Sequence, residues 1–299
     1  MQTEFSRGDA YPSDRHHRNL AMKNPVLDFF VLVTVLSVPF YLVSAVTEFE
    51  LLPGLPVPSL AAFCPVTAAG ILTYEASRGA GVAALLKRSF DFRRIRAKVW
   101  YLPVALLMPA VMAMSFAAIR LSEEAVPVPE INVLQVSILL AAFFLAALGE
   151  ELGWCGFAID PMQAKWGALQ AAIVQGLFWV FWHYVPLFQA GRPVAWIAWW
   201  SVGSVALRVI TVWLYNNTGR SVFAASFFHT TINLTWQLFP VNGSYYDPVI
   251  TGVILVCVAA FVVVVGGARS LATYRTTPTR HSGARRYLSN AQKIPSCNT

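Results

Sequence analysis

The stretch from residue 133 to 155, VLQVSILLAAFFLAALGEELGWC, is a long apolar run that ends in two adjacent glutamates, Glu150 and Glu151. No charged side chain precedes the pair within this run. A charge deep in a bilayer costs at least about 2.5–3.5 kcal/mol on insertion scales, and such residues are rare and usually functional. The pair therefore predicts a functional site near the end of a membrane-spanning helix.

The composition of the whole chain supports this interpretation. Of its 299 residues, 57% are hydrophobic and only 12% are charged, which is about half the usual charged share of a soluble domain. Several apolar runs exceed about 18 residues without a charge, which is typical of membrane spans. The sequence therefore predicts an all-α, polytopic membrane protein with about eight transmembrane helices.

The apolar runs also divide the chain into three parts. We predict a polar, basic N-terminal leader (1–25), a transmembrane helical domain (26–267) and a basic cytoplasmic tail (268–299). The leader contains no cleavable signal peptide, so the first span is expected to act as its own anchor. The eight spans are predicted at about residues 26–46, 56–74, 99–119, from 133 onward, 166–188, 194–215, 221–239 and 249–266.

Most of the 22 Lys and Arg residues fall in the leader, in the segment 78–98 and in the tail. Because positive charge accumulates in cytoplasmic loops, this pattern predicts a cell-membrane protein with both termini in the cytoplasm. Segment 78–98 predicts an interfacial helix against anionic lipid. We interpret it as a topology-setting loop, with substrate docking as the alternative. Nucleic-acid binding is not expected, because the aromatic interleaving of single-strand binders is missing.

Two later runs carry histidines, His183 in one and His229 with Asn233 in the other. Residues four apart share a helix face, whereas Glu150 and Glu151 point about 100° apart. A buried glutamate can act as a general base, histidines can bind a metal or a water, and an asparagine amide can stabilise an oxyanion. The set predicts hydrolase chemistry, with metal-assisted peptide hydrolysis as one version. Each residue alone also has a plain interpretation, as packing or as a contact between helices.

On these residues the chain resembles the CPBP family of intramembrane proteases, which includes the CAAX prenyl endopeptidases and bacterial abortive-infection members. The family's motifs are E-E-x-x-x-R, F-x-x-x-H and H-x-x-x-N. Glu150 and Glu151 match the first motif, His183 the second, and His229 with Asn233 the third. The resemblance covers a catalytic core at about residues 133–239.

The resemblance implies an endopeptidase acting inside the membrane on a membrane-embedded or membrane-associated protein or peptide, with the lipid bilayer as its other partner. Glu150 and His183 would activate the attacking water, and His229 and Asn233 would stabilise the oxyanion or help to hold a metal. Glu151 would be a supporting acid. Zinc or another divalent metal held by Glu150, His183 and His229 is one version, and a glutamate-driven mechanism without a tightly held metal is the other.

The sequence departs from the family pattern at two positions. Cys155 stands where the first motif has arginine, and Trp179 replaces the phenylalanine of the second motif. An arginine at position 155 would pair with Glu151 one helical turn away. We therefore hypothesise that Arg208, in the sixth predicted span, is the partner of Glu151. The alternative is a degenerate, non-proteolytic member that acts by binding or protection, as bacteriocin-immunity proteins do. A transporter is disfavoured because no internal repeat is visible.

Overall fold

The computed structural model describes residues 24–46, 50–52, 55–122, 125–129, 131–240 and 243–273. The predicted leader lies outside these residues except for its last two, and the predicted tail lies outside them beyond residue 273. Within the described residues the fold is a bundle of helices with one short β-hairpin, so the predicted all-α class is confirmed. The helices are α1 (Pro25–Ser44), α2 (Cys64–Lys87), α3 (Tyr101–Leu121), α4 (Val133–Gly153), α5 (Ile159–Trp166), α6 (Ala168–Gln189), α7 (Val194–Asn217), α8 (Val222–Gln237) and α9 (Pro248–Gly266).

Shorter elements connect these helices. The strands β1 (Glu50–Leu52) and β2 (Leu55–Pro56) pair in antiparallel fashion between α1 and α2. Four segments form 3₁₀ turns and one forms a π-helical turn between α4 and α5. The 3₁₀ turns are Val57–Phe63, Arg88–Phe90, Phe92–Arg94 and Lys98–Trp100, and the π-helical turn is Trp154–Ala158.

A helix occupies each of the eight predicted spans. Seven helical segments of the described chain are long and apolar enough to cross a membrane, so the predicted multi-pass membrane protein is confirmed. The remaining helix, α8, has 16 residues and is therefore about 24 Å long, shorter than a hydrocarbon core of about 30 Å. It packs against α3, α4 and α7, so the helix that carries His229 lies inside the bundle.

Helix α2 extends beyond the predicted end of the second span. Its backbone kinks at Arg78, where φ is +55°, a region that side chains other than glycine rarely adopt. Helical structure then continues to Lys87. Part of the segment predicted to be an interfacial helix is thus helical, and it leaves the direction of the preceding span.

The first residues of the predicted tail pack against the bundle. The backbone N–H groups of Ala168 and Leu169 donate to the carbonyls of Arg269 and Ala268, at 3.0 and 2.9 Å. The side chain of Asn217 donates to the carbonyl of Leu271 at 3.0 Å. The start of α6, whose N–H groups have no partner within the helix, is therefore capped by residues that follow α9.

Two glycines flank the glutamate pair and allow α4 to approach the start of α2. A Cβ atom at Gly149 would lie 2.8 Å from the carbonyl oxygen of Ala62, and one at Gly153 would lie 2.6 Å from the Cβ of Pro65. Small residues spaced by four let membrane helices pack closely in this way. The Gly-Glu-Glu-Leu-Gly sequence therefore positions the glutamates by backbone contact.

We expect Gly153→Ala to destabilise the protein by about 1–3 kcal/mol, because the new methyl group overpacks against Pro65. Unfolding in detergent micelles would measure the change. Gly70→Ala is the matched control, because a Cβ at Gly70 of α2 would have no atom within 4 Å and alanine favours a helix. Equal stability of the Gly153→Ala and Gly70→Ala variants would contradict this account of the helix contact.

Candidate active site

Glu150 and Glu151 lie in the last turn of α4 and are both buried, with 6% and 0% of their surface exposed. Because they are about 100° apart around the helix, they meet different neighbours. Glu151 meets side chains of α7 and α8, and Glu150 meets indoles of α6 and of the π-helical turn. The two acids therefore occupy two distinct environments.

Glu151 is fully paired. One guanidinium nitrogen of Arg208 donates to both of its oxygens, at 2.9 and 3.0 Å, and His229 Nδ1 lies 3.0 Å from its Oε1. The hypothesis that Arg208 is the partner of Glu151 is therefore confirmed. Gly176 of α6 makes room for the arginine, since a Cβ there would lie 3.2 Å from that of Arg208. Buried ion pairs need such close geometry to offset their loss of hydration.

Glu150 keeps one oxygen free of direct hydrogen bonds. Its Oε2 accepts from the indole N–H groups of Trp179 and Trp154, at 2.8 and 3.2 Å. Its Oε1 lies 4.0 Å from His229 Nε2. Trp154 follows Glu150 by four residues and therefore lies on the same face of the helix. The indoles orient the carboxylate so that its second oxygen faces the imidazole.

His229 lies between the two glutamates. A carboxylate oxygen can only accept, so His229 Nδ1 carries the hydrogen in its bond to Glu151. Its Nε2 then faces Glu150 across 4.0 Å, which is too long for a direct hydrogen bond and suits a bridging water. A neighbouring cavity of about 10 Å³ has room for about one water. It is lined by Trp179, Ser204, Leu207, Arg208, Thr211, His229 and Ile232.

His183 lies at the edge of this cluster and is partly exposed. Its Nδ1 is 2.8 Å from the backbone carbonyl of Trp179, and the two rings are 4.1 Å apart between centroids. Since a carbonyl only accepts, Nδ1 donates and Nε2 is left for other partners. Among the described residues, His183 forms no ion pair with either glutamate.

The positions of the two histidines along their helices explain this placement. His183 lies about 22 Å along α6, whereas His229 lies about 10 Å along α8. Trp179, one turn before His183, reaches the glutamates instead, and its ring centroid is 6.0 Å from that of His229. Sequence analysis treated Trp179 only as an aromatic motif position and missed its role as the donor to Glu150. An indole one turn before a motif histidine was the available signal.

Asn233 lies one turn beyond His229 on α8 and is partly buried. Within the described chain its side chain forms no hydrogen bond. Its amide is therefore free to bind a ligand. The structure thus brings Glu150, Glu151 and His229 into one cluster. Neither His183 nor Asn233 forms a hydrogen bond with this cluster in the described chain.

The donor set does not fit the predicted three-ligand metal site as it is arranged. In the described part of the chain, no group of three or more His, Cys, Asp or Glu side chains is close enough to hold an ion. A zinc site needs nitrogen and oxygen ligands about 2.0–2.2 Å from one point. Glu151 uses both oxygens on Arg208 and His229, and Glu150 uses one on indoles.

The fold and this cluster define a class, the polytopic membrane proteins with a buried acid–imidazole site between their helices. Residues 132–235, which include all five predicted site residues, match the family described as "Type II CAAX prenyl endopeptidase Rce1-like". CAAX prenyl protease 2 of Methanococcus maripaludis is 27% identical over 202 residues, which cover 59% of this chain and 69% of the relative. Residues 132–235 are therefore similar to a family of CAAX prenyl endopeptidases, in agreement with the resemblance that the motifs predicted.

Proposed function

We propose that this protein is an intramembrane endopeptidase that hydrolyses peptide bonds of membrane-embedded or membrane-associated substrates with a water activated by Glu150. One observation carries the proposal. Of the two buried acids, only Glu150 has an oxygen free of direct hydrogen bonds, and that oxygen lies 4.0 Å from the imidazole of His229. The match of residues 132–235 to a family of prenyl endopeptidases supports the same conclusion.

Glu150 is the proposed general base. Its indole-bound oxygen is occupied, so only Oε1 is available to take a proton from water. The water oxygen then attacks the peptide carbonyl carbon, and the proton on Glu150 passes to the leaving amine as the carbon–nitrogen bond breaks. A positioned general base of this kind contributes about 10²- to 10⁴-fold to the rate. His183, whose Nε2 has no hydrogen-bond partner among the described residues, is the proposed second group that orients this water.

His229 and Asn233 are the proposed donors to the oxyanion. For His229 to donate from Nε2 while Nδ1 donates to Glu151, its ring must be protonated. The cluster of two carboxylates, the Arg208 guanidinium and a protonated His229 then has no net charge, which a buried site favours. Glu151 is a positioning residue in this mechanism, because its carboxylate accepts from His229 Nδ1 and so fixes the orientation of the ring.

The exposure of the site residues supports a proposal for the route of the substrate. Glu150, Glu151 and His229 are buried, whereas His183 and Asn233 are partly exposed. We propose that the substrate chain approaches from the side of His183 and Asn233, within the membrane. We also propose the cell membrane as the location, with both termini in the cytoplasm, from the distribution of positive charge.

Comparing cleaved peptides in host membranes tests the proposal. Membranes with the wild-type chain should contain new peptide termini that fall about a hundredfold or more with Glu150→Gln, since the amide cannot act as a base. The matched control is Glu75→Gln, the same change at an exposed position of α2, which should leave the profile unchanged. If wild type and Glu150→Gln give the same peptide termini, and both produce the same cellular phenotype, the protein acts without proteolysis, by binding or protection.

A further inference from the structure

The segment of residues 87–98, here called the basic loop, has an inner and an outer side. On the inner side, the side chains of Arg88 and Asp91 are only 18% and 10% exposed, and Arg88 Nε lies 3.8 Å from Asp91 Oδ2. Charged side chains that only set the membrane topology would not need to be buried. These two residues therefore have a task that the sequence pattern did not predict.

Asp91 holds the start of α8. Its carboxylate accepts from the Ser221 hydroxyl at 2.7 Å and from the backbone N–H groups of Val222 and Phe223 at 3.3 and 3.1 Å. The first N–H groups of a helix have no partner within the helix, so this contact fixes where α8 begins. His229 follows two turns later on the same helix. Its position along the bundle axis is therefore tied to the basic loop.

Arg88 joins the loop to the segment that follows the glutamates. One guanidinium nitrogen donates to the carbonyl of Gly156, in the π-helical turn, at 2.7 Å. The other donates to the Tyr215 hydroxyl and to the carbonyl of Arg220, at 2.8 and 2.9 Å. Arg88 and Asp91 together clamp the end of α4 to the start of α8. The helices that carry Glu150 and His229 are thus held by one loop.

The outer side of the basic loop has the features of a membrane surface contact. It is cationic, and of its five exposed cations only Arg94 contacts a carboxylate of the loop, that of Asp91 at 3.5 Å. It also carries exposed apolar groups, including Phe90 at 63% and Phe92 at 42%. Aromatic groups beside cations are typical of segments that lie against anionic lipid. The exposed cations are Lys87, Arg93, Arg94, Arg96 and Lys98.

We infer that anionic lipid headgroups bind the outer side of the basic loop and thereby stabilise the clamp that sets the separation of Glu150 and His229. Five like charges in twelve residues repel one another, and headgroup phosphates relieve that repulsion. Each lysine or arginine near an anionic surface is stabilised enough to shift an equilibrium about fivefold. The inference adds regulation by lipid to the proposed function. Of the measurements that test it, only the enzyme kinetics depend on that function.

Amide hydrogen exchange of residues 221–229 tests the inference on the full chain in nanodiscs. We expect exchange to be about fivefold or more slower with about 30% phosphatidylglycerol than in phosphatidylcholine alone. Arg93→Gln/Arg96→Gln/Lys98→Gln should lose this difference. The matched control, Arg120→Gln/Lys165→Gln/Arg269→Gln, removes three exposed cations elsewhere and should keep it. Equal wild-type exchange in both lipids, or a full response of the loop variant, would overturn the inference.

Two further arms separate the steps. Asp91→Asn should give fast exchange at 221–229 in both lipids, with a lower kcat and a nearly unchanged KM, because positioning is lost and not substrate binding. Slow, lipid-dependent exchange in this variant would contradict the clamp. Inorganic phosphate added to phosphatidylcholine discs should leave the exchange of residues 221–229 unchanged. A response as large as that to phosphatidylglycerol would show that the ligand is not a lipid headgroup. If no variant cleaves any substrate, the proposed function fails while exchange still decides the inference.

Discussion

Replacing Arg208 with leucine is expected to destabilise the protein by about 3–5 kcal/mol, because it leaves the fully buried carboxylate of Glu151 without its ion-pair partner. Both oxygens of Glu151 accept from this guanidinium, at 2.9 and 3.0 Å, and a single histidine bond remains. Proteolytic activity should be lost as well, since the orientation of His229 depends on Glu151. Unfolding in detergent micelles and cleavage in membranes would measure the two effects.

Arg220→Leu is the matched control for this variant. Arg220 forms an ion pair with Asp160 at 3.6 Å, but its side chain is 58% exposed, and exposed pairs contribute at most about 1 kcal/mol. The Arg220→Leu variant should therefore lose much less stability than Arg208→Leu. Adding Cys155→Arg to Arg208→Leu should recover part of the stability, because an arginine one turn after Glu151 can pair with it. An Arg208→Leu protein as stable as Arg220→Leu would refute the role of the buried pair.

His229→Gln is expected to lower kcat/KM about a thousandfold, while the protein stays folded. Loss of an oxyanion donor costs about 10²- to 10³-fold, and the same change removes the group that faces Glu150 at 4.0 Å. Glu151 keeps its bonds to Arg208, so the stability cost should be limited to about 1.5–3 kcal/mol, the contribution of one hydrogen bond to a charged group. Cleavage kinetics and unfolding on the same preparations would separate the two effects.

His183→Gln provides the comparison for His229→Gln. His183 bonds only to the Trp179 carbonyl in the described structure and is partly exposed, so its loss should leave stability nearly unchanged. Because it is proposed to orient the water, activity should still fall, though less than with His229→Gln. A His183→Gln variant that loses more stability than His229→Gln would show that aromatic packing is its main role.

Local sequence was sufficient to place a helix at every predicted span, although α8, with 16 residues, is too short to cross the hydrocarbon core. In a bilayer, backbone polar groups find hydrogen-bond partners only within a helix or a closed barrel. A long apolar run can therefore adopt few structures. The pairing of Glu151 with Arg208 could also be predicted, because a lone cation and an acid within apolar runs have few other partners. The contact of Trp154 with Glu150 follows from helical spacing, because the two residues are four apart in sequence.

The tertiary structure decided the roles of these residues. Which glutamate is paired and which keeps a free oxygen depends on the Trp179 indole and on the Arg208 guanidinium, both from helices distant in sequence. The burial of Arg88 and Asp91 likewise depends on α8 and the π-helical turn. A sequence states which groups are present along each helix. Where neighbouring helices cross, and at what depth, determines which donor reaches which acid, because hydrogen bonds act only over about 3 Å.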